Sequence, residues 1–571
     1  MMDTFIHAWR RRMASKTPNL IASRKEPKWI KHKIASQFQF LTKSWIYQKT
    51  LLQHPLSFNL LDWSDNWPGN AEHGQSLIQE VADLFDEQDN YNLAPLWNNE
   101  EADLFWLQEL HGFIWLRDLR AVGGATAKQM ARLLVKSWIT LNSHVNFPAW
   151  NLDVTANRLA LWLGHINFII PENDDDFLEE FTLSVTRQTQ HLARVLPGTL
   201  IGSDLLYALK GFIVASLFLN YSPWLDKAIN FLKTEIHKQF YENGAHIECC
   251  PSQYLTLLKH FIDLRSIFAS LGSAVPECIQ DVIDGLVPSL KKVTHGDGKL
   301  ALFNSSYEEE DWNIDIILNQ ASPRNKNKYQ AHQIASPQGE FHKLSAGRTI
   351  VIADCNNIPP RGYDRYIHAS CLSFEMSVGR ERLIVNCGSY PGQSEWAKFQ
   401  KNTASHSTLV VHNTNCMMFL PDKTIGRGPT SVTSKRHEID GNIWLEASHD
   451  GYAYFFGILH KRRWHLTNEG DMLEGEDHII GPGGYQIMIP FHLHPHVHTS
   501  LSHNSQTALL RLPSGSGWRL RTSIGEMTLE ESIYFGQYMV MEKSQQLVIN
   551  HLPMTPEVIV QWSLTRETRS R

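Results

Sequence analysis

Apolar residues recur at helical spacing through the first half of the chain. Leu104, Leu107, Leu110 and Ile114 form one stripe, and Met130, Leu133, Leu134 and Trp138 form another. Trp150 opens a third predicted helix through Leu159, Leu163 and Ile166, and further helices are predicted near 176–195, 204–219, 224–239, 252–271 and 276–291. Short Gly, Pro and Asn breaks separate them. From about Glu340 to Thr565 the pattern changes to short alternating runs: Thr349–Ala353, Leu372–Met376, Leu383–Val385, Ser407–Val411, Trp444–Ala447, Tyr454–Leu459, Gln486–Pro490 and Ala508–Leu512. Successive helical hairpins suit an incomplete (α/α) toroid or a solenoid, and evenly spaced strands with turns suit a large antiparallel β-sandwich. The expected organisation is a leader over 1–60, a helical domain over 61–293, a polar linker over 294–339 and a β-sandwich over 340–571.

Length agrees with that division, because 571 residues exceed one ordinary core. A net charge of −6 gives no global attraction to nucleic acid or to acidic polymers, so an anionic ligand needs a local basic patch. Eighteen tryptophans supply flat faces of the kind that sugar clefts use, although most belong to the core. Seven scattered cysteines suggest neither a disulfide framework nor a zinc ribbon. Arg10, Arg11 and Arg12 are followed by no apolar run of the length a secretory leader needs, and no run approaches a membrane span. Taken alone, this favours the cytoplasm.

The chemistry concentrates in three stretches. Thr403-Ala404-Ser405-His406-Ser407-Thr408-Leu409-Val410-Val411 delivers a histidine to the start of a β-branched run, with His406, Thr408 and Val410 on one side and Ser407, Leu409 and Val411 on the other. Before it, His368-Ala369-Ser370-Cys371-Leu372-Ser373-Phe374-Glu375-Met376 leads into Leu383-Ile384-Val385-Asn386-Cys387-Gly388. In the helical half, Phe240-Tyr241-Glu242-Asn243-Gly244-Ala245-His246-Ile247-Glu248-Cys249-Cys250-Pro251-Ser252-Gln253-Tyr254 carries two helix-start residues, Pro251 and Ser252, just before its tyrosine. Ser252 as N-cap would put Tyr254 in the first turn, where the helix dipole favours a phenolate; packing above Leu258 is the structural alternative.

These stretches together resemble the heparinase II/III-like polysaccharide lyases, over roughly residues 60–565. That family reads His-Ala-Asp-x-Leu-Ser-Phe-Glu, an apolar strand ending Asp-x-Gly, Thr-x-x-His-Asn-Thr, and a tyrosine that opens a helix after a Glu-Arg-Ser-Pro-like turn. The resemblance implies the toroid-plus-sandwich fold and β-elimination on a uronate polymer. In that chemistry a base removes the C5 proton, the neighbouring carboxylate is neutralised by donors or cations, and an acid assists the leaving C4 oxygen. It implies Tyr254 and His406 as catalytic residues, lining one cleft with His368, and it implies a cell-envelope or periplasmic location.

Departures from the family pattern bear on the same site. Gly202-Ser203-Asp204 stands where the family has Gly-Asn-His, Tyr366 where it has the first histidine of His-x-His, and Asn386 where it has aspartate. Ser203, Asp204, Tyr366, Arg365 and Lys401 are the substrate-contact candidates, and Arg361, Arg365, Lys398 and Lys401 are the basic patch expected to hold an acidic polysaccharide or oligosaccharide. The resemblance also implies a divalent metal at His368, Asn386 and His406. Two histidines and a neutral amide lack the anionic ligand such ions normally gain, so the residues themselves lead to no expected cofactor. The second function class is a non-catalytic glycan-binding or cell-envelope assembly protein on the same fold. A hydrolase would need two facing carboxylates, for which Asp204 and Glu248 are the pair to test. Finally, Phe491-His492-Leu493-His494-Pro495-His496-Val497-His498 alternates strictly, which puts four histidines along one face of an extended segment and suits a metal-scavenging face or, as the favoured reading, a solvated sheet surface.

Overall fold

The computed structural model describes residues 45–82, 93–99, 102–171, 174–321, 339–391, 395–421 and 424–567. The remainder, including most of the expected leader, lies outside the described residues. The chain forms two compact units. One comprises the described residues up to Gln239 together with Lys259–Asp281; the other comprises Phe240–Leu258 and the described residues from Val282 onward. Among the described residues no helix is long and apolar enough to cross a membrane.

The first unit is helical. Its principal helices are Leu104–Gly112, Gly124–Leu141, Leu152–Gly164, Asp175–Val195, Ser203–Phe218 and Ser222–Gln239. Asp103 caps the first by accepting from Phe105 N at 2.8 Å, and Phe113 ends it in the left-handed region at φ 62°. Asp174 caps the Asp175–Val195 helix, whose first turn carries Asp175 and Asp176 where the dipole favours anions. Gly211 lets Ser203–Phe218 approach Leu152–Gly164 closely, since a Cβ there would lie 2.1 Å from the Ala156 carbonyl oxygen. Phe113, Trp138, Trp162 and Phe181 form the aromatic core. Arg158 is buried within it, 3.8 Å from the Trp138 ring centroid, donating to Gln188 and to the carbonyls of His111 and Ala149. Residues 51–60 run along these helices: Leu52 N donates to Gln190 Oε1, Asn59 N donates to the Phe218 carbonyl, and Phe58 packs on Phe181 and Phe218.

The second unit holds two large antiparallel sheets. In chain order the strands are β1 (Gly339–Ala346), β2 (Thr349–Asn356), β3 (Phe374–Val378), β4 (Glu381–Val385), β5 (Val410–Val411), β6 (Met418–Phe419), β7 (Ile425–Arg427), β8 (Val432–Ile439), β9 (Asn442–His449), β10 (Leu459–Leu466), β11 (Met472–Ile480), β12 (Ile487–Leu493), β13 (His498–Leu501), β14 (Thr507–Arg511), β15 (Gly517–Thr522), β16 (Glu526–Tyr534), β17 (Glu542–His551) and β18 (Glu557–Arg566). One sheet runs β1-β2-β3-β4-β12-β17-β16 with β5 beside β12, and the other runs β13-β14-β15-β18-β11-β10-β9-β8. Buried and open residues alternate along β9, β10 and β11, as a sheet with one face in the core requires. Phe374, Phe491, Trp464 and Trp562 interlock between the two sheets, with Phe374 and Trp562 stacked at 5.4 Å.

Most predicted elements fall within a few residues of the observed ones, and the exceptions have local causes. Tyr454–Leu459 does not form a strand; Ala453–Phe456 is a short helix ended by Gly457 at φ 65°, and β10 starts after it. The four alternating histidines do not share a solvated face. His492 is buried near the end of β12, bonded to Ser532 Oγ and the Ala404 carbonyl, whereas the chain turns after Leu493 and restarts at His498. The segment read as a linker is folded as far as Ala321: His295 is buried, and Asp311–Ala321 is a helix.

Candidate functional site

The residues singled out in the β unit are brought together by a segment that sequence reasoning overlooked. Asn304, Ser305 and Ser306 stand between the turn that carries Tyr254 and the loop that carries His368. Asn304 donates to the Cys249 carbonyl at 2.6 Å and accepts from His368 N at 3.0 Å. Ser306 Oγ accepts from Ser252 N at 3.1 Å, and Ser252 Oγ accepts from Tyr307 N at 3.1 Å. Ser252 is therefore spent on this segment rather than on capping its own helix, which spans Pro251–Ser270; Tyr254 N donates to the Cys250 carbonyl, so Tyr254 still lies in the first turn. Cys249, Asn304 and Leu372 all hold positive φ, at 47°, 57° and 56°. Such backbone is costly for Cys and Leu, and it persists where the surrounding structure over-determines it.

Tyr254, His368 and His406 are all enclosed, with 1%, 1% and 0% of their surface exposed. They gather within one unit but do not line an open cleft there. The Tyr254 hydroxyl donates to the His246 carbonyl across a long 3.4 Å. Burial, with Cys249 next, pushes its pKa well above the ordinary tyrosine value. The dipole argument for a phenolate therefore loses to desolvation, and the group stays protonated.

The two histidine rings lie 5.3 Å apart. Their proton positions follow from their partners. Ser305 directs its hydroxyl hydrogen to the Tyr366 carbonyl at 3.0 Å, so its oxygen accepts from His368 Nε2 at 3.2 Å. His406 Nε2 donates to the Gln400 carbonyl at 3.1 Å. Each Nδ1 then carries a lone pair, and both Nδ1 atoms are buried with no hydrogen-bond partner. Desolvation lowers the pKa of both rings, His406 to about 3, so both are neutral near pH 7.

A charged network lies behind this pair. Glu375 is fully buried in β3 and accepts from His295 Nε2 at 3.0 Å on one oxygen and from Asn386 on the other. Arg382 joins it to Asp297 and Glu308, and His295 also contacts Ser377 Oγ at 2.9 Å. Asn386 Oδ1 accepts from Ser407 N at 3.0 Å. Gly388, two residues on, turns at φ 76° where a Cβ would meet the Phe535 carbonyl oxygen at 2.2 Å. From the second sheet, Arg462 donates to the carbonyls of Leu372 and Ser407, both at 2.9 Å, while pairing with Asp477. A charged residue inside an otherwise buried strand, as Glu375 is in β3, was the available signal for this network.

The remaining candidates divide. Tyr366, Arg365 and Lys401 come together beside His368: Arg365 lies over the Tyr366 ring at 4.4 Å and donates to its hydroxyl, and Lys401 Nζ donates to the Arg365 carbonyl at 2.6 Å. Lys398 instead pairs with Glu395 at 2.6 Å, and Arg361 is exposed. Ser203 and Asp204 begin the Ser203–Phe218 helix of the other unit, with Ser203 fully buried. Glu248 is buried, 3.6 Å from His246. The residues do not fit the implied metal. Both polar ends of the Asn386 amide are engaged by Glu375 and Ser407, and among the described residues no group of three His, Cys, Asp or Glu is placed to hold an ion.

Comparison with known proteins agrees with this architecture. Residues 96–310 match the family model Heparinase II/III N-terminus, and residues 330–563 match Heparinase II/III-like, C-terminal. The chain is 27% identical over 480 residues to FtsZ-localized protein C of Caulobacter vibrioides, covering 80% of this chain and 81% of that protein. Among solved structures it resembles heparinase III, with a TM-score of 0.68 and 13% identity over 98% of this chain and 93% of that one. It also resembles the heparan sulfate lyase HepC of Pedobacter heparinus, with a TM-score of 0.60 and 15% identity over 94% and 89%.

Proposed function

Because the chain belongs to the heparinase II/III-like family, we propose that it is a polysaccharide lyase acting on a uronate-containing acidic polysaccharide by β-elimination. The observation that carries this reading is that the turn leading to Tyr254 and the backbone of His368 both bond to Asn304–Ser306, with His406 beside His368. Tyr254, kept protonated by burial, suits the acid that protonates the leaving C4 oxygen. His406, with its proton on Nε2, offers the Nδ1 lone pair as the base for C5. A substrate carboxylate arriving beside it favours the imidazolium and raises its basicity from the depressed free-chain value. Tyr366, Arg365 and Lys401 supply the nearby phenol and cations for an acidic sugar. Since all three central side chains are enclosed, substrate binding must open the loops around them, and a modest turnover number is the corollary.

The enclosure also favours a second reading, in which the protein binds acidic glycan in a cell-envelope assembly role without cleaving it. The similarity to a protein named for localisation with FtsZ points the same way. The test is a panel of uronate polymers incubated with purified protein, following the ultraviolet absorbance of unsaturated ends. Absorbance growth on at least one polymer supports the lyase; binding without absorbance growth supports the second reading.

A further inference from the structure

The helical unit carries a pocket of about 360 Å³ that none of the site residues enters, lined by Leu52, Leu56, Arg194, Tyr221, Trp224 and Lys227 among others. That volume falls in the range of small-ligand sites. Its lining contains two cations and no carboxylate. Both cations are held by neutral groups: Arg194 donates to Thr50 Oγ1 at 2.8 Å and to the Thr50 carbonyl at 3.0 Å, and Lys227 Nζ donates to the Ala193 carbonyl. Two positive charges thus share one concavity uncompensated by any lining acid, a standing preference for an anion. Tyr221 and Trp224 form an aromatic corner, with centroids 4.8 Å apart and planes at 65°. Leu52, also on the lining, is tied to Gln190, because its N–H is bonded to Gln190 Oε1 at 2.8 Å. The chain's own first 44 residues are a poor occupant on charge: they carry ten Lys and Arg against two acidic residues, the same sign as the pocket.

We propose that this pocket is a saccharide subsite for one uronate residue, its carboxylate between Arg194 and Lys227 and its ring against the Trp224–Tyr221 corner. The inference rests on the reading of the ligand as a uronate polymer, and it adds a point of hold in the helical unit that does no chemistry. Cations supply the preference for acid, and aromatic faces supply the preference for a pyranose over a free inorganic anion.

The experiment is calorimetric titration of a uronate tetrasaccharide, and of a neutral tetrasaccharide, into full-length Tyr254→Phe protein, so that turnover does not interfere. Adding Arg194→Gln and Lys227→Gln should weaken uronate binding at least about tenfold, the worth of one charge-assisted contact, in a protein that circular dichroism shows still folded. Trp224→Ala should weaken it comparably. Unchanged affinity in both variants, equal binding of the neutral sugar, or no uronate binding by the parent protein each overturns the subsite. Turnover measured in parallel with Tyr254 intact separates the two claims. Cleavage alongside unchanged affinity removes the subsite and leaves the lyase; weakened affinity without cleavage of any polymer keeps the subsite and removes the lyase.

Discussion

Asn386 donates both its side-chain amide, at 3.1 Å, and its backbone N–H, at 2.9 Å, to the same oxygen of buried Glu375. The amide is therefore dictated by its neighbour. Asn386→Asp would set a second carboxylate against Glu375 in a fully buried site, and one of the two would have to take a proton. We expect a loss of about 2–4 kcal/mol in denaturant unfolding, from the lost donor and the like-charge contact. We also expect no gain in divalent-metal affinity. A stable variant that takes up stoichiometric zinc would show that the network is not what holds Asn386.

Arg462 makes the equivalent tie from the second sheet. It is buried, paired with Asp477 at 2.6 and 2.9 Å, and it holds the Leu372 and Ser407 carbonyls within the His368 and His406 stretches. Arg462→Met should cost about 3–5 kcal/mol because it strands the Asp477 charge. Arg462→Met with Asp477→Asn should recover part of that loss while leaving Leu372 and Ser407 unheld. Thermal midpoints of the two variants decide the point, and equal destabilisation would contradict the ion-pair account.

Several buried histidines make stability depend on pH with a definite sign. Burial lowers His191, His342 and His492 to about 4 and His406 to about 3, against an ordinary value of 6.5. Between those limits the unfolded chain binds protons that the folded chain refuses, so stability falls as pH falls below 6.5. Each such histidine withdraws about 1.4 kcal/mol per pH unit in that window. The melting temperature should be level above pH 7 and drop steeply from pH 6.5 to 5. A melting temperature that holds or rises over that interval would mean the rings are protonated in the fold.

Ser203 and Asp204 stand where the family carries Asn and His, but the two positions differ in tolerance. Ser203 is fully buried, so Ser203→Asn forces extra volume into a packed site at about 1–3 kcal/mol. Asp204 is partly open in the first turn of its helix, so Asp204→His forces no volume into the core but gives up an anion that the helix dipole favours. Under the lyase reading Asp204→His alone should raise kcat/KM on a uronate polymer about tenfold. A fall in kcat/KM would instead make Asp204 a working part of the site.

Fold and helix positions were largely legible because periodicity reports burial directly: the Ser203–Phe218 and Pro251–Ser270 helices lie one residue from their predicted spans. The site was legible as a set of residues and less so as an arrangement. Tyr254, His368 and His406 can be picked from motifs, yet the arrangement around the first two depends on Asn304–Ser306, a polar stretch indistinguishable by composition from an exposed loop. Ser252 looked like a helix cap because capping is local, whereas its partner, Tyr307, lies 55 residues away. The aromatic run Tyr454-Phe455-Phe456 favours a strand by propensity, and Gly457 in the left-handed region closes it as a helix instead.

The rate ratio between wild type and Tyr254→Phe, on whichever uronate polymer the wild type cleaves, tests the proposed lyase chemistry most directly. The substitution removes one oxygen that lies 3.4 Å from the His246 carbonyl and bonds to the Cys249 thiol, and it keeps the ring, so folding and polymer affinity should be retained. Losing the proton donor should cut kcat by ~10²–10⁴-fold with KM little changed. A Tyr254→Phe protein that turns over within a few fold of wild type would remove Tyr254 from the chemistry and, with it, the proposed mechanism.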